Sequence, residues 1–275
     1  RGYDLSAWIE RQTLQLADAV IAVSRADQQA IRELFGLAPG RVTVIPNGID
    51  PGVYRPVQAP QTLRQYGVDP EVPYVLFLGR ITRQKGIGHF LAAARRLPPE
   101  VQVVLCAGGA DTAELSDEVV AAVETLRTER PHVVWIEEMV SRETAVALYS
   151  HAAVFCCPSV YEPFGIINLE AMACETPVVA SRVGGIPDVV VPGETGELVP
   201  LVARSADDPE PDDPDAFAAG LAEAMTTLLA DPDRRARQGR AGRRRVIDEF
   251  GWDAVARKVQ GVYRQAIAHH QEDDA

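Results

Sequence analysis

Short apolar runs recur along the chain at Val20 to Val23, Val42 to Ile45, Tyr74 to Leu78, Val101 to Cys106, Val133 to Ile136, Val154 to Cys157 and Val178 to Ala180. Nearly all are continuous rather than alternating, the pattern of strands buried on both faces. Between them, helical spacing predicts helices over Gly86 to Leu97, Ala113 to Arg127, Arg142 to His151 and Ile166 to Cys174. Strand and helix alternate from Tyr74 to about Ala180. That order predicts an α/β fold, a Rossmann-like doubly wound parallel sheet with helices on both faces. The segment from Asp207 to Asp215 holds six acidic residues and three prolines and reads as a solvated loop. Ala216 to Leu229, Pro232 to Phe250 and Trp252 to His269 read as closing helices, with Phe217, Leu221, Met225 and Leu228 on one apolar face. The first fifty-odd residues give helix (Trp8 to Ala19), strand (Ala19 to Ser24) and helix (Ala26 to Phe35) with no complete sheet to join, as if they were the tail of another domain.

Composition narrows the function classes. The 275 residues, 47% hydrophobic and 24% charged, suffice for a real core in one large or two small domains. With 27 Lys and Arg against 39 Asp and Glu, the net charge of −12 repels nucleic acid and anionic membranes. No apolar run approaches the roughly 18 residues needed to span a bilayer, and the start lacks a signal-peptide core, so a soluble cytoplasmic protein is expected. The first residue is Arg rather than Met, which points to a fragment. Cys106, Cys156, Cys157 and Cys174 form no CxxC pair and sit in apolar stretches, so buried thiols are expected. The histidines have no metal-ligand spacing, and Asp213-Pro-Asp215 and Asp231-Pro-Asp233 lie in a Pro-rich linker and at a helix entry, where capping explains them. Seven arginines between Arg234 and Arg245 form the one basic cluster, with positions 234, 237, 240 and 244 broadly on one helix face. A solvated face is the simplest account, contact with an acidic partner or the acidic loop the alternative.

The chemistry concentrates at two strand ends. Glu162 and Glu170 flank Pro-Phe-Gly-Ile-Ile-Asn-Leu, just beyond the strand ending at Cys157. Gly165 allows close backbone approach, and the amides of Phe164, Gly165, Ile166 and Ile167 are the unpaired donors of a helix start, suited to a phosphate. Arg80 and Lys85, in Gly-Arg-Ile-Thr-Arg-Gln-Lys-Gly, leave another strand end and close over the same crevice. Two cations plus helix amides suit a pyrophosphate. Gly184 and Gly185 serve either a tight turn or a second amide cluster. Paired carboxylates also fit a glycosidase, which leaves the phosphate-like elements unexplained.

The E-x7-E element from Glu162 to Glu170, the preceding Cys-Pro-Ser-Val-Tyr, the Gly-Arg-x4-Lys-Gly loop, Val-Gly-Gly-Ile-Pro-Asp at 183 to 188 and Gly-Glu-Thr-Gly at 193 to 196 together resemble the retaining GT-B glycosyltransferases of family 4. Within that family the sequence is most similar to the actinobacterial type of ADP-glucose-dependent glycogen synthase. The resemblance implies the C-terminal half of a GT-B fold: a remnant of the acceptor domain with its linker at 1–56, a nucleotide-sugar donor domain at 57–251, and a C-terminal helix and tail at 252–275. It implies that Glu162 holds donor-sugar hydroxyls, that Arg80 and Lys85 neutralise the departing diphosphate, and that the amides about Gly165 meet sugar and phosphate. Glu170 then takes both ribose hydroxyls, the backbone around Glu138 to Val140 contacts the base, and no metal is required. The expected donor is ADP-glucose, with UDP-glucose or GDP-mannose as alternatives, and the expected acceptor is glucose-1-phosphate or an α-1,4-glucan. A nucleotide-sugar-binding module inactive alone and a nucleotide-sugar epimerase are the competing functions. The apolar surface of the first fifty residues and of the last helix predicts dimerisation, as a homodimer, or poor solubility.

Overall fold

A computed structural model describes residues 4–273, so the ends of the expected segments 1–56 and 252–275 lie outside the described residues. In chain order the elements are α1 (Asp4–Leu16), β1 (Val20–Ala22), α2 (Arg25–Phe35), β2 (Val42–Val44), α3 (Pro60–Gln65), β3 (Tyr74–Arg80), α4 (Ile87–Ala94), β4 (Gln102–Gly108), α5 (Ala113–Glu129), β5 (Val133–Ile136), α6 (Arg142–His151), β6 (Val154–Cys157), α7 (Ile166–Ala173), β7 (Val178–Ser181), α8 (Ile186–Val189), β8 (Gly196–Val199), α9 (Pro214–Ala230), α10 (Pro232–Arg245) and α11 (Trp252–Asp273). Strands β3 to β8 form one wholly parallel sheet in the order β5-β4-β3-β6-β7-β8. The apolar runs are continuous because successive residues feed opposite layers. Leu76 enters a core under α6 and α7, while its neighbours Val75 and Phe77 enter a core under α4, α5 and α9. The doubly wound sheet expected from the strand pattern is the one found.

Local chemistry sets the helix starts. Ser24, Thr112, Ser141, Asp213 and Asp231 each accept a bond from the third residue of the helix that follows. Arg130, only 5% exposed, donates to the carbonyls of Ala94, Leu97, Pro98 and Val101 and so closes the α4–β4 connection from within.

The N-terminal segment is a separate small layer. β1 and β2 pair in parallel, Val20 opposite Val42, over a cluster of Val20, Ala22, Leu37 and Val42. Helix α11 comes back to it, packing Val255 and Val262 on Ile45, and Ile49 bridges to Gly251. At the other side the Arg25 amide donates to Asp188 at 2.7 Å, which sets the start of α2 against α8.

Several expectations change. The first helix runs from Asp4 to Leu16 rather than from Trp8 to Ala19, and no residue in it is buried. Strand β8 was not among the expected strands: it is a four-residue edge strand whose two middle residues are only partly buried, so no apolar run marks it. The acidic stretch from Asp207 to Asp215 is tied down rather than merely solvated: Glu210 pairs with His89 at 2.9 Å, Pro211 bridges to Ala203 and Asp213 caps α9. The basic cluster divides. Arg235, Arg243 and Arg245 turn inward onto backbone carbonyls and Arg234 pairs with Glu197, whereas Arg237, Arg240 and Arg244 are exposed. Helix α10 stops at Arg245, and one π turn over Val246–Phe250 replaces the continuous helix expected to Phe250. All four cysteines are free and buried.

Candidate functional site

The order of the sheet reverses between β3 and β6. From β3 the chain moves out through β4 to β5, then returns to lay β6 on the other side of β3. Two neighbouring loops therefore leave the carboxyl edge in opposite directions and open a crevice, the place where sheets of this kind take ligands. The loop after β3 carries Arg80 and Lys85, and the loop after β6 carries Glu162 and Gly165. Lys85 Nζ lies 2.6 Å from Glu162 Oε2, with side-chain exposures of 21% and 10%. Ser159 Oγ sits 3.5 Å from the same oxygen.

The loops are held together by backbone. Thr82 Oγ1 accepts from the Lys85 amide and caps a short 3-10 turn over Arg83–Lys85, and the Val160 amide donates to the Gln84 carbonyl at 2.9 Å. Gly86 follows with φ +68°, and a Cβ there would stand 2.0 Å from the Pro158 carbonyl oxygen. On the far side Gly184, with φ +51°, leaves no room for a Cβ, which would lie 2.0 Å from the Glu162 carbonyl oxygen. Glycine at these two positions lets three loops close on one carboxylate. The Gly185 amide donates to the Glu162 carbonyl at 2.9 Å. That bond commits the Gly185 amide inside the protein, and both glycines permit the close approach of their turn to the Glu162 loop.

Arg80, at the end of β3, is 65% exposed by side chain and pairs loosely with Asp111 at 3.7 Å. Phe164 is 3% exposed, its ring stacked obliquely on Phe250, so only its backbone faces the loop. A Cβ on Gly165 would meet Asn168 Nδ2 at 2.7 Å. Ile166 and Ile167 begin α7, where amides have no preceding helical carbonyl to reach. Ile166 is 42% exposed, and Ile167 packs against the core. Val140 packs on that core just before the Ser141 cap of α6.

Glu170, on α7, takes no part in the Lys85–Glu162 pair and has partners of its own. Tyr149 donates to its Oε2 at 3.0 Å, and Tyr54 faces the same carboxyl. Burial raises the Glu170 pKa above the usual carboxylate value, and the two tyrosines and Arg142 pull it back. The same contact, with burial first, pushes Tyr54 up to about 12. Neither tyrosine was singled out from sequence: Tyr149 sits in an apolar helix face and Tyr54 in a Pro-rich connection, and no spacing marks them. Asn168 was missed as well; it is fully buried, with neither side-chain polar atom partnered among the described residues.

Residues 59–245 match the family model of glycosyl transferases group 1, and residues 1–53 match that of glycosyltransferase family 4. The chain belongs to the group 1 glycosyl transferases. Among its relatives, an alpha-maltose-1-phosphate synthase of Mycolicibacterium smegmatis is 48% identical over 271 residues, which are 97% of this chain and 68% of that protein. A D-inositol 3-phosphate glycosyltransferase of Xylanimonas cellulosilytica is 34% identical, covering 94% of this chain and 59% of its own length. The solved sucrose-phosphate synthase of Thermosynechococcus elongatus superposes with a TM-score of 0.80 at 33% identity, over 98% of this chain and 63% of that one. This group 1 glycosyl transferase thus has the α/β GT-B architecture that its sequence motifs resemble. Its six-stranded sheet lies wholly in the C-terminal family match, and the separate β1–β2 layer falls in the N-terminal one.

Proposed function

We propose that the chain carries the donor side of a retaining glucosyltransferase that takes glucose from ADP-glucose and passes it to glucose-1-phosphate or an α-1,4-glucan. The observation that carries this reading is the Lys85–Glu162 pair, 2.6 Å apart where the sheet order reverses. A carboxylate that uses one oxygen on Lys85 keeps the other for sugar hydroxyls. An ammonium with one proton committed keeps two for a diphosphate. Arg80, held only loosely, and the first amides of α7 add to the phosphate side, Glu170 takes the ribose hydroxyls, and Val140 borders the base. As the bond from the anomeric carbon to the diphosphate oxygen lengthens, negative charge collects on the departing phosphate, where cations already in place stabilise the transition state more than the ground state. The acceptor hydroxyl attacks on the same face and passes its proton to the departing phosphate oxygen, which leaves Glu162 to orient the sugar.

The choice of ADP-glucose is supported by the motif resemblance together with 48% identity to an enzyme named alpha-maltose-1-phosphate synthase. The division into an acceptor-side remnant at 1–56, a donor domain at 57–251 and a closing helix at 252–275 is supported by two family matches that end and begin at 53 and 59. Calorimetric titration with ADP-glucose, UDP-glucose and GDP-mannose tests the reading. ADP-glucose is expected to bind most tightly, and Lys85→Ala to weaken it by about tenfold or more through loss of a charge-assisted contact. Equal binding of the three donors rejects the donor assignment, and an unchanged affinity in Lys85→Ala rejects the site.

A further inference from the structure

Glu170 is a carboxylate most of the way out of water with no salt-bridge partner within bonding distance among the described residues. What it has instead is phenol. The Tyr149 hydroxyl donates to Oε2 at 3.0 Å from a side chain that is itself wholly buried. Tyr149 has no freedom to wander: its ring meets Phe155 edge-on at a centroid distance of 5.3 Å, and its carbonyl accepts from Thr176. Tyr54 faces the same carboxyl from the short segment between the two family matches, and Arg243 ties the start of that segment to α7 by donating to the Pro51, Tyr54 and Ala173 carbonyls. A carboxylate on a helix surface samples several rotamers, and each lone pair it offers a ligand must then be aligned at the moment of binding. One fixed by a buried phenol offers its remaining lone pairs already aligned.

We propose that Tyr149 and Tyr54 are positioning residues for nucleotide selection: Tyr149 fixes Oε2 of Glu170 and Tyr54 borders the same carboxyl, so that the remaining lone pairs present a set geometry to the two hydroxyls of a ribose. The proposal rests on Glu170 being the ribose contact. It adds that the preference for a ribonucleotide is set by groups that never touch the ligand, and that one of them lies on the connection between the two family matches, so a shift of that connection alters ribose recognition.

The test compares ADP with 2′,3′-dideoxy-ADP by calorimetric titration on this chain, on Tyr149→Phe and Tyr54→Phe, and on each combined with Glu170→Gln. The unaltered chain is expected to prefer ADP by about tenfold or more, the scale of a hydrogen-bonded pair to a charged group. Each Tyr→Phe change is expected to cut that preference by about threefold or more, and to cut nothing further once Glu170 is Gln. A merely structural role weakens both nucleotides together and leaves the ratio where it was, which overturns the proposal while the ribose assignment stands. No preference in the unaltered chain overturns the ribose assignment and the proposal with it. Tyr54→Phe alters a half-buried side chain and keeps the test decisive if Tyr149→Phe does not fold.

Discussion

At the scale of single residues, the site contrasts two ways of keeping a carboxylate out of water. Glu162 faces a lysine at 2.6 Å, so its charge is offset within the protein. Glu170 is offset only by hydrogen bonds and by the more distant Arg142, and its pKa is raised, with burial the leading cause. The groups that face it are Tyr54, Tyr149, Arg142 and the buried Cys174. Because the folded state holds the proton more tightly than the unfolded chain, charging Glu170 costs folding free energy. Stability from this group is fully present below the unfolded pKa and is lost as pH rises through the folded one. Glu170→Gln, which cannot charge, is therefore expected to gain stability relative to the unaltered chain as pH rises above the ordinary glutamate value, and to hold a constant difference once pH has passed the raised folded value. The same variant is expected to bind ADP about tenfold more weakly. Urea denaturation across that pH range, paired with titration of ADP, reads both; a stability difference that does not grow with pH removes burial as the cause.

At the scale of elements, the crevice exists because loops can touch, and glycine sets how closely. Gly36 and Gly86 share φ +68°, yet a Cβ on Gly36 meets nothing within 4 Å and one on Gly86 stands 2.0 Å from the Pro158 carbonyl oxygen. Gly36→Ala thus measures the left-handed backbone alone, about 1 kcal/mol. Gly86→Ala adds the forced separation of the β3 and β6 loops, for a total of about 3 kcal/mol or more by chemical denaturation. It is also expected to weaken nucleotide-sugar binding, since Lys85 is the preceding residue. Equal losses in the two variants show that the loops yield freely. This loop contact marks where sequence reading stops. Strands β5 and β6 and helix α6 could be placed residue by residue, because apolar runs and a Ser cap mark their ends. Lys85 and Glu162 could be grouped because each follows a strand end by a few residues; that those strands are neighbours across the reversal point is visible only in the fold. The side-chain partners could not. Tyr149 is chemically as much a core residue as a donor, and only the crossing of α6 with α7 aims its hydroxyl at Glu170. Arg235, Arg243 and Arg245 likewise look like the exposed arginines beside them, and only the fold shows which carbonyls lack a partner.

At the scale of the whole molecule, two sheets of very different robustness share one chain. β3 is bonded on both sides and sandwiched between two extensive apolar layers, whereas β1 and β2 pair only with each other over a few buried residues. A two-stranded layer has open edges and too little buried surface to stand alone. Here α11 on Ile45, the Ile49–Gly251 bridge and the Arg25–Asp188 contact attach it to the larger sheet. Those attachments are few, so the small layer should open by itself well before the large sheet unfolds. Hydrogen exchange is expected to show β3 and β4 amides protected about a hundredfold more than those of β1 and β2, a gap of nearly 3 kcal/mol. Saturating ADP should slow exchange in the loops at 80–86 and 158–170 and leave β1 and β2 unaffected, because the proposed nucleotide contacts all lie in the larger sheet and its loops. Uniform protection of both sheets shows instead that they unfold as one cooperative unit. Protection of β1 and β2 by ADP alone shows that the Arg25–Asp188 contact, beside the Gly184-Gly185 turn, transmits nucleotide binding to the small layer.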